Sequence, residues 1–281
     1  MWPDSLSGDL ERPGAANLNY VGDTQLHECL VGALTREDIS GASGTVERIN
    51  ALLPDGWPVG LEREIVVRQD SRLELEPTGL RNPLAQVIVL ADTNQPCQLP
   101  HRPPSELAAY RLWQLLDAGQ LEPLTLCEIS RLAGGADAIR TVRATASRFL
   151  SGQAIEYLKP SLILGRLAPL LTRVQVRETE LPPIAHALGV FFETLLIHPF
   201  ADGNGRLARL LFQGSLHQTV KLRAPVFPLG PSLFANRNAA IRAYLAWEFD
   251  SSAVPLLRFV AAAVDSIDQF VTELALNHCK R

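Results

Sequence analysis

The sequence predicts a mainly α-helical fold with one β-hairpin, preceded by an N-terminal α+β extension. Hydrophobic residues make up 47% of the 281 residues, which is enough to bury a sizeable core. Apolar side chains recur at helical spacing in the second half of the chain. The strongest such stretch, Ile184 to Ile197, follows two prolines and is apolar over much of its surface, which predicts a buried central helix.

The other helices are predicted from periodicity and from residues suited to helix ends. Thr125 and Glu128 form a capping box that would open one helix, and Gly134-Gly135 would end it. Pro169 fits the first turn of a short helix before the central one. Four longer helices are predicted over Ser105 to Ala118, Gly205 to Val220, Phe234 to Phe249 and Val254 to His278.

Two short stretches upstream of the central helix have the pattern of paired strands. Ile139 to Ala146 alternates with polar residues, and Ala154 to Leu158 forms a second short run. Ser151-Gly152 lies between them and suits a tight turn. The pattern predicts a β-hairpin over Ile139–Leu158.

Residues 1–103 form the predicted N-terminal extension, and residues 104–281 the main domain. The extension begins with an arm rich in Pro, Gly and Asp. It continues with a short helix near residues 43–53 and with two strands, over Glu62 to Glu76 and Ala85 to Leu90.

The composition excludes several classes of protein. The formal net charge is -4, so the chain lacks the basic field that generic nucleic-acid binding needs. No stretch reaches the ~18 uncharged apolar residues of a membrane helix, and the N-terminus does not resemble a signal peptide. The four cysteines form no CxxC pair, which disfavours a zinc or redox site and favours reduced thiols. We therefore expect a cytoplasmic protein that binds neither nucleic acid nor membranes.

Residues suited to chemistry are concentrated in one stretch, HPFADGNGRLAR, from His198 to Arg209. Pro199 disfavours helical geometry at the residue before it, so the central helix should end at His198. A new helix starts after the following turn, and its first N–H groups attract anions because they have no partners inside the helix. Gly203 and Gly205 let a ligand approach this backbone closely. The stretch therefore predicts a phosphate cradle.

Four ionisable residues surround the predicted cradle. Arg206 and Arg209 share one face of the helix, which suits a polyphosphate. Asp202 would be repelled by phosphates unless Mg²⁺ were shared between them. His198 stands at the rim, where its imidazole can take a proton from an attacking hydroxyl at neutral pH.

The same twelve residues resemble the full signature of the Fic (filamentation induced by cAMP) family, HPFx[D/E]GN[G/K]RxxR, without a departure. The resemblance extends over roughly residues 105–267, where the hairpin before the central helix looks like the family's flap. It implies a Fic-type helical bundle core and protein AMPylation, in which AMP passes from ATP-Mg to a Ser, Thr or Tyr hydroxyl of a target protein. The target would bind as an extended segment along the flap, Ile139–Leu158, and self-AMPylation is a further reaction of this kind.

By motif position, the resemblance also implies a role for each residue of the cradle. His198 is the general base, and Asp202 holds Mg²⁺. Arg206 stabilises the phosphates and the leaving group, and Arg209 contacts the γ-phosphate. The anion hole for the α- and β-phosphates is formed by Gly203, Asn204 and Gly205.

Many Fic proteins carry an inhibitory helix with the pattern [S/T]xxxE[G/N], whose Glu pairs with the second Arg of the signature. Ser43 and Glu47 fit this pattern on the short upstream helix, with Arg48 where the family has Gly or Asn. The alternative is a solvated Glu on an amphipathic helix. Tyr157 on the flap and Tyr244 further downstream are candidates for lining the nucleotide pocket, with ordinary packing as the alternative.

Two other functions stay open from the sequence. The same fold could transfer another nucleotide, phosphocholine or phosphate, or could remove AMP. Gly205, rather than Lys, favours AMP transfer over the kinase-like variant. A non-enzymatic nucleotide-sensing or toxin-like binding module is the third hypothesis. The sequence defines neither the target protein nor the oligomeric state.

Overall fold

The computed structural model describes residues 42–52, 104–144 and 157–223, together with residues 227, 229, 267 and 272. The chain is mainly helical over these residues. In chain order the helices are α1 (Ala42–Leu52), α2 (Pro104–Asp117), α3 (Pro123–Leu132), α4 (Pro160–Val174), α5 (Pro183–Ile197) and α6 (Asn204–Val220). None of these six helices is both long enough and apolar enough to cross a membrane.

Helix α5 is the centre of the fold, as the sequence predicts. It begins with Pro183 at its first position, where the missing N–H costs nothing. Residues on every face of the helix are buried, including Phe191 and Phe192, because apolar side chains surround it almost completely. Of the other helices, α6 packs most extensively against α5. Helices α4 and α1 also pack against α5. The end of α5 and the start of α6 are therefore held by one core.

Helix α3 begins three residues earlier than the sequence predicts. Glu122 is its N-cap and Pro123 its first residue, so Thr125 lies at the third helical position. The Glu122 side chain accepts a hydrogen bond from the Thr125 backbone, and Thr125 Oγ1 accepts one from the Glu122 N–H at 2.9 Å. The prediction that Thr125 opens this helix was wrong, because Pro123 favours an earlier start and Glu122 supplies the capping oxygen.

Helix α4 corrects the prediction for Pro169. The helix begins at Pro160, and Pro169 lies well inside it rather than in a first turn. A proline inside a helix removes a backbone hydrogen bond and costs about 3 kcal/mol. The apolar face outweighs this cost, because each large aliphatic side chain that is fully buried contributes about 1.5–3 kcal/mol. The buried side chains of this face are Ile163, Leu167, Leu170, Leu171 and Val174.

Helix α1, from the predicted extension, packs on α5 and α6. Val46 and Ile49 are buried in the common core. Asn50 fixes the end of the helix, because its Nδ2 donates to the Lys221 carbonyl at 2.9 Å and its Oδ1 accepts from the Arg223 N–H at 3.0 Å. The short upstream helix is therefore attached to the segment that directly follows α6.

Several predicted elements lie outside the described residues. They include residues 145–156 of the hairpin, the N-terminal arm, the strands over Glu62 to Glu76 and Ala85 to Leu90, the helix over Phe234 to Phe249, and nearly all of the helix over Val254 to His278. At the open end of the hairpin, the Tyr157 N–H donates to the Ala144 carbonyl at 3.0 Å. This contact brings the two arms together, and the hairpin itself stays a prediction.

Candidate active site

His198 ends α5 in a left-handed backbone conformation, with φ 48° and ψ 59°. Its N–H still donates to the Thr194 carbonyl at 3.0 Å, and Pro199 then directs the chain away from the helix axis. This conformation costs a residue that has a Cβ roughly 1–2 kcal/mol. Such backbone strain persists where the surroundings enforce it, and it is concentrated at functional sites.

The loop after His198 is fixed by the side chain of Asn204. Asn204 Oδ1 accepts the Phe200 N–H at 2.9 Å, and Nδ2 donates to the Phe200 carbonyl at 2.8 Å. The Phe200 ring is fully buried, and its backbone forms an antiparallel bridge with Ile139 at the start of the predicted flap. The Asn204 side chain is thus occupied by the loop, so Asn204 can face a ligand only through its backbone N–H.

The start of α6 presents N–H groups that have no partner within the helix. The first backbone hydrogen bond of the helix runs from the Leu207 N–H to the Gly203 carbonyl at 2.9 Å. The N–H groups of residues 204–206 therefore have no acceptor within the helix. Gly203 has φ 88°, and a Cβ on it would lie 2.7 Å from the Cα of Gly135. Only glycine fits this turn, because it packs backbone against backbone on the turn that ends α3.

The guanidinium groups of Arg206 and Arg209 lie over the glycines of this turn. Arg206 Nη2 is 3.5 Å from the position of a Cβ on Gly203, and Arg209 Nη1 is 3.6 Å from that of a Cβ on Gly205. Arg206 Nη2 also donates to the Gly134 carbonyl at 3.0 Å. Two planar cationic groups therefore flank a helix N-terminus, an arrangement suited to an anion with several phosphates.

Asp202 lies at the exposed edge of the same turn. Its Oδ2 is 3.3 Å from Arg206 Nη2, and an exposed pair of this kind is worth only about 0–1 kcal/mol. One available carboxylate beside a phosphate site fits Mg²⁺ that is shared with phosphate oxygens. No group of three or more His, Cys, Asp or Glu side chains that could hold a metal occurs in the described parts of the chain.

The imidazole of His198 is covered by Tyr157. The two rings stack with centroids 3.6 Å apart and planes 12° from parallel. Burial lowers the pKa of His198 to about 4; a backbone hydrogen bond with Leu195 opposes the shift and the charge of Arg140 adds to it. The ring is thus neutral at pH 7, with a nitrogen able to accept a proton.

The predicted site residues differ in where the structure places them. The signature residues, from His198 to Arg209, surround one turn, as the sequence predicts from their spacing. Tyr157 stacks on His198, a contact that the sequence did not indicate. Ser43 lies in the first turn of α1, and Glu47 is exposed on the same helix. Tyr244 lies outside the described residues.

Sequence reasoning missed Arg140, which the structure places against the backbone of His198. Arg140 Nε donates to the His198 carbonyl at 2.6 Å. Its partners are main-chain carbonyls, which leave no pattern of side chains in the sequence. The close packing of Gly135 under Gly203 was missed for the same reason.

Comparison with known proteins agrees with this architecture. Residues 122–216 match the family model described as Fic/DOC family, and this segment runs from the N-cap of α3 into α6 with the complete signature inside it. The chain therefore carries a domain of the Fic/DOC family.

A curated relative is the protein adenylyltransferase fic-1 of Caenorhabditis briggsae. It is 32% identical over 82 residues, which cover 29% of this chain and 16% of that protein. The match thus spans only a small part of the relative's length. It places this chain near an enzyme whose name describes transfer of adenylyl groups to protein.

Solved structures extend the likeness of the fold over most of the chain. A Fic family protein from Desulfovibrio desulfuricans G20 has a TM-score of 0.60 at 18% identity, covering 88% of this chain and 76% of that one. A Fic domain containing signaling protein from Bacteroides thetaiotaomicron has 0.54 at 15% identity, covering 86% and 99%. Fic-1 from C. elegans has 0.52 at 18% identity, covering 89% and 76%. At these identities the likeness shows the fold alone.

Proposed function

We propose that this protein transfers AMP from ATP to a hydroxyl group of a target protein. The observation that carries the proposal is a neutral imidazole, His198, that is held next to an anion-binding helix start at Gly203. A base beside a phosphate site is what nucleotidyl transfer to a hydroxyl requires. The Fic/DOC domain and the adenylyltransferase among its relatives favour AMP as the transferred group.

In the proposed reaction, the hydroxyl oxygen of the target forms a bond to the α-phosphorus of ATP. The bond from this phosphorus to the bridging oxygen of the β-phosphate breaks, and pyrophosphate leaves. His198 accepts the hydroxyl proton. The N–H groups of residues 204–206 and the Arg206 guanidinium balance the charge on the leaving phosphates, while Arg209 holds the γ-phosphate. Mg²⁺ held by Asp202 would supply further charge neutralisation between the phosphates.

The target segment would add as a strand to the flap, Ile139–Leu158. Ile139 already pairs with Phe200, which ties the first arm to the loop after His198. Val142 is exposed on the same arm and offers an apolar contact to an incoming segment. Strand addition would fix the register of the target and so bring its hydroxyl to His198.

Transfer from differently labelled ATP tests the proposed function. The purified protein is incubated with Mg²⁺ and with ATP carrying the label on either the α- or the γ-phosphate, with and without a lysate as a source of targets. We expect protein-bound label from the α-phosphate only. Label from the γ-phosphate alone would indicate kinase-like transfer, and no label from either ATP, even with the Glu47→Gly variant, would favour a binding module.

We also propose that α1 inhibits the enzyme through Glu47. The helix packs against α5 and α6, the two helices whose ends form the site. Glu47 would pair with Arg209 and so compete with the γ-phosphate for the same guanidinium. Ser43, at the start of the helix, completes the pattern by which this role is proposed.

Glu47→Gly is expected to raise the rate of AMP transfer by roughly 10-fold, since tenfold corresponds to about 1.4 kcal/mol of lost competition for Arg209. Glu47→Gln should raise it similarly, because it removes the charge while keeping helix propensity. Ala51→Gly is the matched control: it weakens the same helix at another exposed position without removing a carboxylate. Equal rates for all four proteins would contradict the inhibitory role.

A further inference from the structure

Arg140 is a buried cation at the base of the flap, with only 5% of its surface exposed. Its backbone N–H donates to the Pro199 carbonyl at 2.9 Å. Its guanidinium donates to four backbone carbonyls: through Nε to His198 at 2.6 Å, through Nη1 to Val142 at 2.9 Å, and through Nη2 to Leu158 and to Ile197, the latter at 3.4 Å. Every nitrogen of this side chain therefore has a partner.

These carbonyls belong to three separate segments. Val142 is on the first arm of the flap and Leu158 is at the end of the second, while Ile197 and His198 end α5. The guanidinium thus joins both arms to the end of α5. Carbonyls at a helix C-terminus carry the negative end of the helix dipole, which stabilises a cation there. A lysine cannot replace this arrangement, because its single ammonium group cannot reach three segments in the plane of a guanidinium.

The contacts of Arg140 act on the strained part of the site. Its side chain holds the carbonyls of Ile197 and His198, so the two peptide units that flank His198 are fixed. These are the units that set the left-handed conformation of His198 and hence the direction of its imidazole. The other half of the guanidinium fixes the flap to which the target is proposed to bind.

We infer that Arg140 is a positioning residue, which aligns the His198 base with the hydroxyl that the flap presents. This inference rests on the proposed function and deepens it, since one side chain would set the positions of both the base and the target strand. All three nitrogens of the Arg140 guanidinium donate to main-chain carbonyls, which leaves none of them for a phosphate, so Arg140 would act through His198.

The charge of Arg140 provides a second readout. Two titratable side chains in the described residues face His198: Tyr157 stacks on its ring, and Arg140 contacts its backbone. Burial is the largest cause of the lowered pKa of His198, and the positive charge of Arg140 lowers it further. Removing that charge in a folded variant should therefore raise the pKa of His198.

The test compares Arg140→Lys and Arg140→Met with the wild-type protein and with Arg177→Met, which removes an exposed arginine of the same domain. For each protein we would measure kcat and KM for AMP transfer, the affinity for ATP in the absence of a target, the thermal unfolding midpoint and the titration of His198 by NMR. The last three measurements do not require turnover.

For Arg140→Met we expect kcat to fall about 100-fold, because a misplaced base costs about that much. ATP affinity should stay within about 2-fold of wild type, since the cradle is intact, and the His198 titration midpoint should rise above about 4. Arg140→Lys should lower kcat by roughly 10-fold or more and shift the titration less, because it keeps the charge but loses the planar fork. Arg177→Met should match wild type in every measurement.

Each outcome decides for or against the inference. If Arg140→Met does not fold, the folded Arg140→Lys variant decides, and a kcat within about 2-fold of wild type overturns the inference. A parallel loss of ATP affinity and kcat also overturns it, because that pattern indicates general damage to the domain. If no protein transfers label, the proposed function fails by itself, and an unchanged His198 titration in the folded Arg140→Met protein then refutes the inference separately.

Discussion

Replacing His198 with alanine is expected to lower AMP transfer by about 10²–10⁴-fold, the usual contribution of a general base. In the proposed reaction the ring, which is neutral at pH 7 because burial lowers its pKa to about 4, accepts the proton of the attacking hydroxyl. Affinity for ATP should change little, because the cradle at the start of α6 does not use the imidazole. Transfer of α-phosphate label and equilibrium binding of ATP are the two measurements.

His217→Ala is the control for loss of a histidine elsewhere in the domain. His217 is near the far end of α6, where its Nε2 lies 3.0 Å from Asp117 Oδ1 and its ring stacks on Trp113. This substitution should lower the thermal unfolding midpoint but leave transfer within about 2-fold of wild type. If the His198→Ala variant transfers AMP at the wild-type rate, or if both variants lose the same amount of activity, His198 is not the base.

The pH dependence of transfer follows from the same residue. Because burial lowers the pKa of His198 to about 4, the neutral, proton-accepting ring persists well below the 6.5 of an ordinary histidine. The kcat/KM for the target reports the free enzyme, so it should stay level as pH falls through 6.5 and decline only as pH approaches about 4. A decline centred near 6.5 would show that the ring is solvated before the target binds.

Gly203→Ala is expected to destabilise the domain by about 2–4 kcal/mol and to lower transfer by about 100-fold. Two effects combine at this position. The φ of 88° is unfavourable for any residue with a Cβ. The added Cβ would also lie 2.7 Å from the Cα of Gly135, a backbone atom that cannot move as a side chain can. The turn would have to move, and the N–H groups of α6 would move with it.

Gly119→Ala separates the two effects. Gly119 also has a positive φ, of 65°, but a Cβ there would meet nothing within 4 Å. It should therefore cost only the conformational strain, about 1–2 kcal/mol, and leave transfer unchanged. Chemical unfolding of both variants measures the stability difference, and α-phosphate labelling measures activity. Equal destabilisation of the two proteins would refute the role assigned to the contact with Gly135.

Long periodic helices were the most predictable part of this fold. The structure has α2, α5 and α6 within about one residue of the predicted limits, because burial along a continuous stripe determines a long helix. The errors arose where a local signal competed with packing. Pro169 is typical of a helix start, although the buried face of α4 stabilises a helix that continues past it. Thr125 was read as a cap, although Glu122 takes that role.

The candidate site was predictable only where its reactive residues lie close together in the sequence. His198, Asp202 and the residues of the cradle lie within twelve positions, and their spacing alone indicates a phosphate site. Arg140 could not be predicted, because it acts on main-chain carbonyls that every residue possesses. The stacking of Tyr157 on His198 depends on how the segment before α4 meets the end of α5, which no local pattern encodes.

The packing of Gly203 on Gly135 means that two loops together build the candidate site. The Gly134 carbonyl accepts a hydrogen bond from Arg206, and Gly135 leaves room for the turn above it. A redesign of the candidate site must therefore vary the end of α3 and the start of α6 as a pair. For the same reason, the shortest active fragment has to begin upstream of α3, although every residue assigned to phosphate contact lies far beyond it in the chain.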